Sequence, residues 1–243
     1  MFIEILNYKV FRGSKNQCID LIRSSEKINI ISGNPEILYN GLQDSVLFKS
    51  YTDKTTLIIP DGIGTILSAK ILRTPVSEKI AGIEVMDELI KTAMSNGEGI
   101  YLLGAKQETV VKCAENLKLK YKELNVLGYH NGYFDIDNCE ELVTEIKGLK
   151  PKMIFVAMGC PRQELFISKY MDMLPCSIFM GVGGSFDIIA GNLQRAPKWM
   201  IKLGLEWLYR VVKEPFRIKR LFVIPKFLLK VIKDKRKKNE KNN

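Results

Sequence analysis

The sequence predicts an α/β fold: a mostly parallel sheet with helices on both faces, carrying a basic amphipathic helical appendage at its C-terminal end. Three observations predict it. Short β-branched runs alternate with helix-length amphipathic stretches, turns containing glycine or polar side chains follow the runs, and basic residues collect in one terminal segment.

Six runs read as strands: Lys27 to Ile31, Thr56 to Pro60, Gly99 to Leu103, Glu123 to Leu127, Lys152 to Ala157 and Cys176 to Gly181. Helical stretches separate them, as in Gln107 to Lys120, where Val110, Val111, Ala114 and Leu117 form one stripe. Strand–helix alternation of this kind builds a parallel sheet with right-handed crossovers, covered on both faces. With 243 residues and 46% apolar content, the chain suits one compact domain plus an appendage. We place the core at residues 1–195, the appendage at 196–233, and a polar segment, expected to be disordered, at 234–243.

In such a sheet, ligands bind outside the carboxyl ends of the strands. The turns there are Ser32-Gly33-Asn34, Asp61-Gly62-Ile63-Gly64, Gly104, Gly128 to Phe134, Gly159 to Glu164 and Gly181 to Asp187. Taken singly, each also reads as local structure, with glycine supplying positive φ, or Asn34 capping a helix that starts at Pro35.

The net charge of +10 is unevenly placed. Lys198 to Asn243 holds 15 basic residues against 4 acidic ones, whereas residues 1–197 hold 22 against 23. A nearly neutral body is therefore joined to a segment that seeks an anionic surface. Within Phe216 to Lys233, Ile218, Leu221, Phe222, Leu228, Leu229 and Ile232 recur at helical spacing, with Arg217, Arg220, Lys226, Lys230 and Lys233 largely opposite. Pro225 should kink this helix or restart it. Apolar residues among the lysines suit an interfacial helix, each basic residue adding about 1 kcal/mol near an anionic bilayer. A nucleic-acid-binding tail would have no need of those apolar residues.

No run approaches the roughly 18 to 20 apolar residues of a membrane span, and MFIEILNYKVFRG lacks the order of a signal peptide, so a cytoplasmic location is expected. Five scattered cysteines without a C-x-x-C pair argue against a disulfide framework or a structural zinc site. A nicotinamide-dependent oxidoreductase lacks its fingerprint, because Gly181-Val182-Gly183-Gly184 is not a G-x-G-x-x-G loop.

Five segments together resemble the bacterial WecG/TagA/CpsF glycosyltransferases: PDGIG (Pro60 to Gly64), the stretch ending Gly132-Tyr133-Phe134, VAMGCPRQE (Val156 to Glu164), GVGGSFDIIAG (Gly181 to Gly191) and RAPKWMIKLGLEWLYRVVKEPFRIKR (Arg195 to Arg220). They fall in the family's order and span nearly the whole chain. The resemblance implies a Rossmann-like fold and an inverting transfer from a UDP-sugar, with no cofactor and no bound metal. It also implies an acceptor N-acetylglucosamine on an undecaprenyl pyrophosphate carrier, and hence an enzyme peripheral on the inner face of the plasma membrane. N-acetylmannosamine is the donor sugar of the best-known branch, in wall teichoic acid biosynthesis; other branches use glucose or N-acetylmannosaminuronic acid, for exopolysaccharide.

Inverting transfer needs a base to deprotonate the attacking hydroxyl while UDP leaves from the opposite face. The resemblance assigns that role to Asp61; from spacing alone, Asp61-Gly62 reads equally as a turn. Ser32 and Asn34 stand where many relatives carry Thr-x-Asn and are expected to line the same pocket, with a capping role for Asn34 open. For the donor, the expected contacts are Gly104, Tyr133, Gly159, Gln163, Gly181 and Asp187: glycines let backbone N–H groups approach a diphosphate, Tyr133 offers a ring to the nucleoside or packs in the core, and Gln163 and Asp187 read polar groups. Arg210, Arg217 and Arg220 match arginines that relatives bring from the appendage to the leaving pyrophosphate, and they suit a lipid-headgroup face as well.

Three other features carry less. Asp135-Ile136-Asp137 has the metal-binding D-x-D form, yet reads as a turn and cap. His130, the single histidine, reads as a loop bystander. Cys160 reads as inert for want of a basic partner.

Overall fold

The computed structural model of the chain describes residues 1–202, 205–213 and 222–241. Eight strands form one sheet: β1 (Phe2–Ile5), β2 (Tyr8–Phe11), β3 (Ile28–Ser32), β4 (Thr56–Ile59), β5 (Gly99–Gly104), β6 (Asn125–His130), β7 (Met153–Ala157) and β8 (Ile178–Gly181). Their order is β1-β2-β4-β3-β8-β7-β5-β6; β1 and β2 form an antiparallel hairpin and every other pairing is parallel. The six runs read from sequence are β3 to β8, β6 lying a few residues later than expected.

The N-terminal hairpin is not among those runs. Its strands are only four residues long, and their signal is alternation: Ile3 and Ile5 face inward while Phe2 and Glu4 face outward. The turn uses Leu6 and Asn7 at φ 52° and 70°, the double positive φ of a tight hairpin, with leucine where glycine or asparagine would announce it.

Twelve helices among the described residues cover the sheet. On one face lie α1 (Lys15–Arg23), α5 (Gly82–Ser95), α6 (Gln107–Lys120) and α9 (Ser185–Ile189). The other face carries α2 (Pro35–Gly41), α3 (Ser45–Thr52), α4 (Ile63–Ile71), α7 (Glu140–Leu149) and α8 (Arg162–Tyr170). Strand β7 shows why both faces must be covered: Met153, Phe155 and Ala157 enter one core, Ile154 and Val156 the other, and all five are buried.

The C-terminal segment contributes α10 (Lys198–Lys202), α11 (Glu206–Lys213) and α12 (Val223–Lys241). Pro225 is the third residue of α12, in the first turn, where its missing N–H costs no intrahelical bond; residues 214–221, before this helix, lie outside the described residues. The apolar stripe of α12 differs from expectation. Phe227 and Val231 are fully buried in the core cluster of α2, α3 and α4, so they serve this protein's own packing and not a bilayer. Phe222 and Leu229 remain exposed.

The helix also runs on past Asp234, through the segment expected to be disordered. Polar contacts take the place of apolar burial there: Lys235 donates to the Ile71 carbonyl at 2.6 Å, and Lys238 pairs with Glu4 at 2.6 Å and Asp234 at 3.2 Å. No described helix is long and apolar enough to cross a membrane.

Burial of Phe227 predicts that Phe227→Ala costs about 3 to 4 kcal/mol through lost transfer energy and a residual cavity. A chemical melt should show that loss. Leu229→Ala, on the exposed side, should shift stability by no more than about 0.5 kcal/mol.

Candidate active site

The loops after β3, β4, β7 and β8 converge at the carboxyl edge of the sheet, around a cleft of about 670 Å³. Ser32, Asn34, Asp61, Gly159, Gln163, Gly181 and Asp187 all line it. Residues from α10 and α11 complete the wall: Ile201, Glu206, Trp207 and Val211.

Asp61 is held from three sides. Ser32 Oγ donates to Oδ2 at 2.8 Å, the Gly82 N–H approaches the same oxygen at 3.5 Å, and Lys79 Nζ stands 3.9 Å from Oδ1. The side chain keeps about a quarter of its surface exposed, so the carboxylate is oriented yet reachable from the cleft. Lys79 is shared, since its ammonium also meets Glu206 Oε2 at 3.1 Å. Glu206, nearly buried on α11, meets Arg195 at 3.4 Å as well, and Arg195 pairs with Glu84 at 2.7 Å. An ionic chain thus runs from the Asp61 carboxylate into the appendage. Lys79 and Glu206 were not singled out from the sequence; Lys79 lies in a loop well past β4, and Glu206 within an amphipathic helix that reads as surface.

Asn34 caps α2, its Oδ1 accepting the Ile37 N–H at 3.1 Å, with Pro35 at the first helical position. The cap occupies only that oxygen, so capping and cleft-lining coexist. Gly104 does not line the cleft. Its φ is 130°, and a Cβ there would stand 2.4 Å from the Ala157 carbonyl oxygen; the position is glycine because β5 and β7 approach so closely. Tyr133 is three-quarters exposed, which excludes the core reading. It lines a neighbouring hollow of about 600 Å³ with Gly132, Phe134, Asp135 and Arg162, and that hollow shares Ala157 and Met158 with the cleft. Arg210 lies on α11, its side chain outside the described residues; Arg217 and Arg220 fall outside them entirely.

Asp135 accepts the Asp137 N–H at 2.9 Å and the Asn138 amide at 2.6 Å, and Asp137 pairs with Lys169 at 2.7 Å, so this pair forms a turn. The cap of α7 is Cys139. His130 ends β6 and is not a loop residue; its Nδ1 lies 2.8 Å from the Asn131 carbonyl and its ring stands edge-on to Phe134. Cys160 is half-buried, with the Asn40 amide donating to its Sγ at 3.3 Å. Burial first, then the neighbouring Glu164 carboxyl, pushes its thiol up to about 12, against the opposing pull of Asn40.

A parallel sheet with a cleft at its carboxyl edge, a carboxylate oriented in that cleft and helices folded over the rim defines an α/β enzyme that works on a bound small-molecule group. Residues 3–241 match the Glycosyl transferase WecG/TagA/CpsF family, and the chain belongs to that family. It is 36% identical over 205 residues to the N-acetylglucosaminyldiphosphoundecaprenol N-acetyl-beta-D-mannosaminyltransferase of Bacillus subtilis (strain 168), covering 84% of this chain and 79% of the relative. The protein of that name from Staphylococcus aureus (strain MW2) is 37% identical over 215 residues, covering 88% and 84%. The one from Bacillus spizizenii is 33% identical over 207 residues, covering 85% and 79%. The chain is therefore a glycosyltransferase.

A thiol whose pKa is about 12 holds almost no thiolate at pH 8. Cys160 in the folded protein should accordingly react with iodoacetamide at least about a hundredfold more slowly than a free cysteine, as peptide mass mapping would show.

Proposed function

We propose that this glycosyltransferase moves N-acetylmannosamine from a UDP donor to the 4-hydroxyl of N-acetylglucosamine carried on undecaprenyl diphosphate, with inversion, in cell-wall or capsular polysaccharide assembly. The names of the relatives support the sugar and the acceptor. The observation that carries the mechanism is the Asp61 carboxylate, oriented by Ser32 within a cleft walled by the appendage.

Asp61 takes the proton from the acceptor hydroxyl as the new glycosidic bond forms and UDP departs from the opposite face. Ser32 holds the carboxylate plane, and Lys79 sets a positive charge beside it without closing off its access. Gln163, Gly181, Gly183 and Asp187 form the wall at which the diphosphate and ribose bind, with the nucleoside reaching toward Tyr133 in the adjoining hollow. The growing charge on the leaving diphosphate is met by Arg210, Arg217 and Arg220, whose guanidinium forks match phosphate oxygens.

A lipid-carried acceptor stays in the bilayer, so the enzyme docks there as a peripheral protein on its cytoplasmic side. Phe222 and Leu229 enter the interface, and the exposed Lys226 and Lys230 of α12 face anionic headgroups.

Asp61→Asn should reduce transfer by about a hundredfold to ten-thousandfold, the scale of a positioned base, while UDP affinity changes little. Product mass analysis with the lipid-linked acceptor and calorimetric titration with UDP check the two halves; an active Asp61→Asn enzyme removes the assignment. Phe222→Glu with Leu229→Glu should abolish flotation with vesicles containing phosphatidylglycerol while leaving the melting temperature within about 2 °C, because neither side chain is buried.

A further inference from the structure

Residues Gln163 and Glu164 are adjacent on α8, buried to 3% and 4% exposure, and hydrogen-bonded to each other. Gln163 Nε2 donates to Glu164 Oε1 at 2.7 Å, and Gln163 Oε1 accepts the Gly183 N–H at 3.1 Å. One amide therefore meets an acceptor at one end and a donor at the other. Reversing it would set oxygen against oxygen and N–H against N–H, leaving buried groups unpaired. Gly181 makes room for this arrangement, since a Cβ there would lie 2.7 Å from Nε2.

We propose that Glu164 is a positioning residue for donor binding: its carboxyl fixes the Gln163 amide in the one orientation that pins the glycine loop after β8 and turns the remaining Nε2 proton toward the donor diphosphate or ribose. This rests on the donor-binding reading of the cleft. Gln163, Gly181 and Gly183 line that cleft, and Glu164 does not, so Glu164 acts only through its neighbour.

The surroundings of Glu164 are those of a structural acceptor. Its second oxygen, Oε2, is buried without a hydrogen-bond partner, as are the hydroxyls of Tyr8 and Tyr51. Burial raises its pKa, opposed mainly by the Gln163 hydrogen bond, and its charge adds to the burial that holds the Tyr51 phenol protonated. A carboxyl buried here, hydrogen-bonded to Gln163 and beside the Cys160 thiol, costs stability in burial that the fold must offset elsewhere.

The test compares Glu164→Met, which keeps length and removes the acceptor, with Glu164→Gln, which keeps an acceptor oxygen at the same reach. UDP titration and steady-state kinetics with UDP-N-acetylmannosamine and the lipid-linked acceptor are read on the full chain. Glu164→Met should raise both the UDP Kd and the donor KM by about tenfold or more, with kcat falling less than about threefold; Glu164→Gln should restore both to within about threefold. In a Gln163→Met background, Glu164→Met should add less than about twofold. Unchanged UDP binding by folded Glu164→Met, or a Glu164→Gln enzyme as weak as Glu164→Met, overturns the proposal. Gln163→Met reads the same bond from its other end if Glu164→Met does not fold, and unchanged UDP binding by that variant also overturns it. An unmodified protein that binds no UDP removes the donor-binding reading itself, and this proposal with it; weakened variants cannot produce that result.

Discussion

The hydrogen bond between Ser32 and Asp61 depends on the parallel pairing of β3 with β4. Their register sets Ser32 opposite Ile59, so both strands end at one level and Asp61, two residues further on, turns back toward the Ser32 hydroxyl. A slip of one residue would send every side chain of β4 to the other face and carry Asp61 away from the cleft. The register is itself secured by burial: Ile28 and Ile30 enter one core while Ile31 enters the other, beside Ile58 of β4. A 2.8 Å contact at the surface is thus fixed by apolar packing beneath it.

The same geometry brings β7 and β8 to that edge. In the strand order, β3 lies between β4 and β8; the chain leaves β3 toward one side of the sheet, and β7 and β8 fill the other. The crevice opens where those directions diverge, the place where loops have no crossover helix between them. The alternation of strand and helix was legible in the sequence, as were the glycine and polar turns at the strand ends, and together they located the cleft. Gly104 shows the limit of that method. A glycine after a strand signals either a ligand or a neighbouring strand at close range, and only the distance to the Ala157 carbonyl separates the two.

The appendage was legible as an amphipathic, basic segment but not in its destination. An apolar stripe such as the one read through Phe222, Leu228, Leu229 and Ile232 has the same periodicity whether the helix buries against a bilayer or against the body of the protein; the apolar surface of α2 and α4, which takes the adjoining Phe227 and Val231, forms only when the chain folds. Among the described residues, Phe222 and Leu229 stay outward with Lys226 and Lys230, while Ile218 and Leu221 lie outside the described residues. The contacts that tie α11 to the core were invisible for the same reason. Lys79 lies far along the chain from Arg195 and Glu206, and the three meet only because the rim of the cleft assembles from separate segments. Glu164 stood within a quoted motif, yet nothing in VAMGCPRQE tells that its carboxyl points inward to the Gln163 amide.

Charge in the cleft argues for a role of the appendage beyond covering. Among the described residues that line it, the ionisable acids are Glu36, Asp61, Asp187 and Glu206, and the single lysine is Lys79. Such a wall suits a carboxylate base and hydroxyl-bearing sugars, but a diphosphate entering it meets more negative charge than positive, and its burden grows as the bond to the sugar breaks. The body of the protein is close to neutral overall, whereas the terminal segment holds nearly four basic residues for each acidic one. Under the proposed function, one basic segment would carry both the lysines near an anionic surface and the arginines proposed for the diphosphate.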